Sequence, residues 1–133
     1  ERLAQNLFIC APHASQIAAL YALDSKEELE KNLKIYSKNR ELMKKGLVNA
    51  GFTKISPPDG AFYMYADISN FSSNSFEFEK SVLNEAKVAI TPGLDFDPKR
   101  GNTKIRFSYA RSTEDIIKGL DRLESFMKKN KFI

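Results

Sequence analysis

The sequence predicts an α+β fold: a two-layer domain with helices packed on a mainly antiparallel sheet. Three observations predict it. Apolar residues recur at helical spacing in separate stretches. Short apolar or alternating runs between them stop at Pro and Gly. The order along the chain is helix, helix, strand, strand, helix, strand, strand, helix, which is not the strict alternation of a parallel α/β protein.

The elements follow in order. Residues 1–9 look like a helix end, and Pro12 and Ser15 precede a short helix over Gln16–Tyr21. Ser25-Lys26-Glu27-Glu28 has capping-box spacing, in which the Ser hydroxyl and Glu carboxylate satisfy free amides. Leu29, Leu33, Tyr36, Met43 and Leu47 then form one stripe of a long helix. Lys44 and Lys45 suit its negative end, and Gly51 suits its termination. Residues 52–56 and 61–68 read as a hairpin joined by Pro57-Pro58-Asp59-Gly60, the second strand apolar on both faces. Asn74 and Glu77 have capping-box spacing before a helix marked by Phe78, Val82, Leu83 and Ala86. Val88–Thr91 reads as a strand stopped by Pro92-Gly93, and 94–102 as a polar loop. In the strand 103–109, Ile105, Phe107 and Tyr109 face one way and Lys104, Arg106 and Ser108 the other. Ser112 opens the last helix, with Ile116, Leu120, Leu123 and Met127 as its stripe.

Composition bounds the function. The chain has 133 residues, a length that fits one structural unit. Its 21 Lys and Arg against 17 Asp and Glu give +4, which invites a nucleic-acid reading. The lysines are interleaved with Glu27, Glu28, Glu30 and Glu41, as on solvated helix faces, and no nucleic-acid motif accompanies them. No nucleic-acid partner is expected. No apolar run reaches the roughly 18 residues of a membrane span, so no membrane partner is expected either. One Cys and one His exclude an internal disulfide and make a Cys- or His-based metal centre improbable. Cys10, in the run Phe8-Ile9-Cys10-Ala11, is expected to be a small buried hydrophobe. No signal-peptide pattern is present, so a cytoplasmic location is the default. The chain opens without Met on what reads as mid-helix, a hint of truncation.

Three local patterns carry chemistry: Pro58-Asp59-Gly60-Ala61-Phe62-Tyr63, Thr91-Pro92-Gly93-Leu94-Asp95-Phe96, and Lys104-Ile105-Arg106-Phe107-Ser108-Tyr109-Ala110. In this order and spacing they resemble the C-terminal small domain of class I/II pyridoxal-phosphate-dependent aminotransferases, the aspartate aminotransferase fold type. Those domains carry P-x-G-A-F-Y, P-G-x-x-F and R-x-S-x-A motifs. The run Leu7–Pro12 with Gln16–Leu20 is similar to the segment leading in from the family's large domain. The resemblance covers nearly the whole chain, is specific to the superfamily, and says nothing of the substrate side chain.

The resemblance implies that Arg106 binds the substrate α-carboxylate. The chemistry suits the residue, since a guanidinium presents a planar fork to a carboxylate. On alternation alone Arg106 reads as an ordinary solvent-facing strand arginine. Pro92-Gly93 reads as a tight turn, which the resemblance places near the mouth of the active site. Asp95 and Asp97 could suggest acid/base chemistry; the plainer reading is a solvated loop paired with Lys99 and Arg100. Many family members have Gly where this chain has Asp97, which puts the loop conformation in question. Tyr63 and Tyr65 read as core or interface aromatics.

The resemblance further implies pyridoxal 5'-phosphate as cofactor, bound mainly by the large domain. That domain would supply the Schiff-base lysine, the Asp on the pyridine nitrogen and the phosphate cup. No lysine here takes that role, so no catalytic, cofactor-binding or metal-binding residue is expected in this chain. Residues 1–133 are expected to be the small domain, with 1–24 a linker and helix from the large one. Alone it should be inactive. The implied parent is a homodimeric aminotransferase moving an amino group between an amino acid and a 2-oxo acid. The alternatives are a lyase, decarboxylase or synthase of the same fold type, or the effector-sensing domain of a transcriptional regulator. A stand-alone basic binding module is a third reading.

Overall fold

The computed structural model describes residues 2–7 and 9–133. Glu1 and Phe8, which belong to the expected first helix and to the run around Cys10, lie outside the described residues. Contacts divide the chain into residues 1–33 and 34–133.

The first unit holds α1 (Arg2–Leu7), α2 (His13–Asp24) and the start of α3 (Lys26–Asn49). No described residue of α1 or α2 is buried. The second helix is longer than Gln16–Tyr21 because it starts directly after Pro12, a residue suited to a helix entrance. Ser25 does not form the expected capping box: its hydroxyl donates back to the Tyr21 carbonyl, closing α2, which ends one residue earlier. Cys10 is exposed, contrary to expectation. It lies on the connection between α1 and α2, where no packed layer receives it.

The second unit is the predicted α+β domain. Its sheet has the order β1-β3-β2, with β1 Tyr63–Asp67, β2 Thr91–Pro92 and β3 Lys104–Ser108, all pairs antiparallel. Alternation sorts the two faces. Met64, Ala66, Ile105 and Phe107 are buried on one, while Tyr65, Arg106 and Lys104 are half-buried and Tyr63 and Ser108 exposed on the other. Against the apolar face lie Met43 and Leu47 of α3, Phe78 and Val82 of α4 (Ser75–Ala86), and Ile116, Leu123, Phe126 and Met127 of α5 (Thr113–Lys129). Phe52 sits at the centre, edge-on to Phe71, Phe78 and Phe107.

Several local signals act as expected. Asn74 Oδ1 accepts from the Phe76 and Glu77 amides and starts α4, and Ser112 Oγ accepts from the Asp115 amide and starts α5. Gly51 follows α3 at φ +89, the left-handed conformation glycine permits, as the Phe52 amide reaches back to the Leu47 carbonyl.

Other expectations need correction. The first hairpin strand reduces to one bridge, Ile55 with Ala66. The strand expected at Val88–Thr91 shifts to Thr91–Pro92; Pro92 fits there because β2 is an edge strand. Lys44 and Lys45 lie a turn short of the end of α3, whose last turn is uncharged by basic residues. Residues 94–102 are not simple loop: two short 3₁₀ turns, Gly93–Asp95 and Gly101–Thr103, order the segment. Leu29 and Leu33 of the expected stripe are exposed, as is Leu83 of α4.

Candidate functional site

Arg106 is the centre of the polar face of the sheet. It lies on the middle strand, directly opposite Tyr65 of β1 and Thr91 of β2. Register therefore brings all three side chains to one face. Arg106 Nη2 donates to Thr91 Oγ1 at 3.3 Å. The guanidinium carbon lies 4.7 Å from the Phe96 ring centre and 5.4 Å from that of Tyr63, both within cation–π range. Arg106 Nε is buried and has no hydrogen-bond partner. A buried donor without an acceptor is costly. A guanidinium held this way is anchored at one end and keeps donor capacity for an anion.

Phe96 reaches Arg106 because the segment 93–101 is closed on itself. The Phe96 and Asp97 amides donate to the Gly93 carbonyl, and the Gly101 amide donates to the Asp97 carbonyl. Asp97 accepts from the Lys99 and Arg100 amides and from Arg100 Nε at 2.7 Å. The Arg100 hydrogen bond holds its carboxyl below the usual carboxylate range. Asp97 is thus a turn-former; the expected pairing with Lys99 is to its backbone. The ends of the segment meet at Gly93 and Gly101. A Cβ on Gly101 would lie 2.3 Å from the Gly93 backbone, so the glycines are required by close approach.

Tyr63 and Tyr65 are not core aromatics; both lie on the polar face beside the arginine. Tyr65 Oη donates to the Gly93 carbonyl at 3.5 Å. Burial, and then the Asp97 carboxylate, push its phenol above the ordinary value. At the next register position Lys104 Nζ meets Asp67 Oδ2 at 2.5 Å. That hydrogen bond, with Ser69, holds the Asp67 carboxyl well below its usual range. A carboxyl depressed by folding stabilises the fold above its unfolded pKa, about 3.9, and loses that contribution as pH falls towards its folded value. Asp67→Asn is therefore expected to destabilise the protein at pH 7, with the gap to the unsubstituted protein narrowing steadily as pH falls below ~4 towards the folded value. Urea midpoints followed from pH 7 into that acid range check this.

Asn39 was not singled out by the sequence reading. It is fully buried on α3, and Nδ2 donates to the carbonyls of Tyr109 (3.1 Å) and Arg111 (2.7 Å) while Oδ1 accepts from Thr113 Oγ1 at 2.8 Å. It ties the exit of β3 to α3 and α5. The available signal was a polar residue on an apolar stripe, between Tyr36 and Met43. Tyr109 in turn donates from Oη to the carbonyl of Ala61, which holds φ +59.

A groove of about 550 Å³ lies elsewhere, lined by Lys87, Ile90, Arg111, Lys118, Leu120 and Arg122 among others, and does not include Arg106. The chemistry sets them apart: Arg106 carries a buried donor without an acceptor, whereas no buried unpartnered side-chain atom is found among the described groove-lining residues. Among the described residues no cluster suited to a metal ion is found. His13 starts α2 and is exposed. No described lysine suits a covalent cofactor link: all are exposed except Lys104, which is held by Asp67. No helix among the described residues is long and apolar enough to cross a membrane.

The free face of this helix-backed antiparallel sheet thus carries a half-buried arginine with one buried donor left without a partner. The chain belongs to the family of class I and II aminotransferases, whose model matches residues 2–123. It is 42% identical over 127 residues to a valine–pyruvate aminotransferase of Mycobacterium tuberculosis, covering 94% of this chain and 33% of that protein. It is 40% identical to a (5-formylfuran-3-yl)methyl phosphate transaminase of Methanocaldococcus jannaschii, covering 96% and 34%. Among solved structures, an aminotransferase from M. tuberculosis superposes with a TM-score of 0.87 at 42% identity, over 96% of this chain and 34% of that one. The chain thus spans about a third of the length of the curated relatives it matches.

Proposed function

We propose that residues 1–133 are the C-terminal small domain of a pyridoxal-phosphate-dependent aminotransferase, and that Arg106 binds the α-carboxylate of its substrates. The observation that carries this is the Arg106 arrangement: one nitrogen fixed by Thr91, one buried nitrogen without an acceptor, and two rings over the guanidinium. A carboxylate supplies the missing acceptor.

The domain's part in the reaction is binding and orientation. Arg106 holds the carboxylate, so the α-carbon is fixed in direction relative to the rest of the active site. The cofactor supplies the electron sink for chemistry at that carbon when bound. It would be held by the large domain, as would the lysine that carries it. Residues 1–24 lead in from that domain, the parent is a cytoplasmic homodimer, and this domain alone is inactive. Relatives named for valine–pyruvate, aspartate and aromatic amino-acid transfer differ in the donor side chain and share its carboxylate. An arginine anchor fits that shared part and leaves the side-chain preference to other residues.

Amino transfer is favoured over a lyase, decarboxylase or regulator by the transaminase names of these relatives. The full-length protein is expected to exchange an amino group between an amino acid and a 2-oxo acid, with parallel double-reciprocal plots. Borohydride reduction should fix the cofactor on a lysine outside residues 1–133. An adduct on a lysine of this chain, or loss of CO₂ or a side-chain group without amino exchange, would contradict the proposal.

A further inference from the structure

We infer that Phe96 is a positioning residue for Arg106, held in place by a turn that Asp97 ties; this rests on Arg106 being the carboxylate anchor. Phe96 is 53% exposed, so packing into the core does not explain its place. Its ring centre lies 4.7 Å from the guanidinium carbon, closer than that of Tyr63.

The hydrogen bonds that aim Phe96 are all local. Two amides converge on the Gly93 carbonyl, the Asp97 carboxylate caps two further amides, and Gly93 and Gly101 meet backbone to backbone. This closed segment stands on the sheet through Gly93, whose carbonyl also accepts from Tyr65 Oη. Phe96 therefore arrives at the arginine on a preformed support.

A ring over a guanidinium favours its charged plane and restricts its rotamers. It does so without taking any N–H, so every donor not used by Thr91 stays available to a carboxylate. An arginine side chain released from the ring regains rotamer freedom, which must be lost again on binding. The effect should fall on substrate binding and be the same for every donor, because the ring acts through the anchor.

The test is kinetics of the full-length protein. Phe96→Leu is expected to raise KM for several amino-acid donors alike, by about five- to tenfold, with kcat within about twofold. Phe96→Trp should restore KM, since an indole face serves the same purpose. In an Arg106→Ala background Phe96→Leu should add little, because the ring then has nothing to hold. An unchanged KM in Phe96→Leu overturns the inference. So does a change that differs strongly between donors, which would place the ring against the donor side chain. If Phe96→Leu has no effect while Arg106→Ala does, only this inference fails. If Arg106→Ala has no effect either, the carboxylate reading fails first.

Discussion

Arg106→Ala in the full-length protein is expected to lower kcat/KM for every amino-acid donor by about 30- to 4,000-fold. The range corresponds to about 2–5 kcal/mol, the cost of removing one member of a buried hydrogen-bonded charge pair. It is large because the substitution does more than delete a contact. The substrate carboxylate would be left among Tyr63, Phe96 and Thr91 with no cation beside it, and a desolvated unpaired charge is costly. Arg106→Lys should recover part of the loss at most. An ammonium keeps the charge but not the planar fork, and it cannot reach Thr91 and the carboxylate in the same geometry. The 2-oxo acid acceptors carry the same carboxylate, so their KM values should rise as well.

Asn39→Leu is expected to destabilise the domain by about 2–4 kcal/mol, since it leaves the buried Tyr109 carbonyl and the part-buried Arg111 carbonyl without the Asn39 donor. Leucine matches the surrounding apolar surface, so the loss would come from the orphaned carbonyls and not from a cavity. Asn39→Asp keeps the shape and tests the same point: at neutral pH a carboxylate would face two carbonyls with nothing to donate. Hydrogen exchange reads the effect locally. Protection of the β3 amides should fall by about 30- to 700-fold in both variants, because Asn39 clamps the strand's exit. Equal protection in Asn39→Leu and the unsubstituted protein would show that the clamp does not matter to the strand. The arginine sits three residues before Tyr109, so this substitution should also weaken substrate binding indirectly.

The fold class was legible because the strong signals are local. Asn74, Ser112 and Gly51 act at the positions where their side-chain or backbone chemistry is useful, whatever surrounds them. Alternation along 104–108 placed Arg106 off the core correctly, since strand period alone decides it. Where a second element competes, local reading failed. Ser25 was equally placed to open α3 or to close α2, and its hydroxyl closed α2. The strand around Thr91 moved because pairing with Arg106 and Ile105, not the apolar run of Val88–Ile90, sets its register. The site divides in the same way. A motif singled out Arg106, but it did not point to the rings packed around it. Phe96 lies ten residues away and arrives only because Gly93 and Gly101 can touch, and Tyr63 arrives through β1–β3 register. Asp97 looked like a departure that could disturb the turn. It accepts three hydrogen bonds within it instead.

Recognition of a carboxylate by Arg106 is read most directly by comparing an amino-acid donor with the amine that lacks only its carboxylate. In the full-length protein the amino acid should be strongly preferred in kcat/KM. In Arg106→Ala that preference should collapse to within a few-fold, with the amine's own value nearly unchanged. A preference that survives the loss of Arg106 intact would show that the carboxylate is held by another group, and would contradict the account.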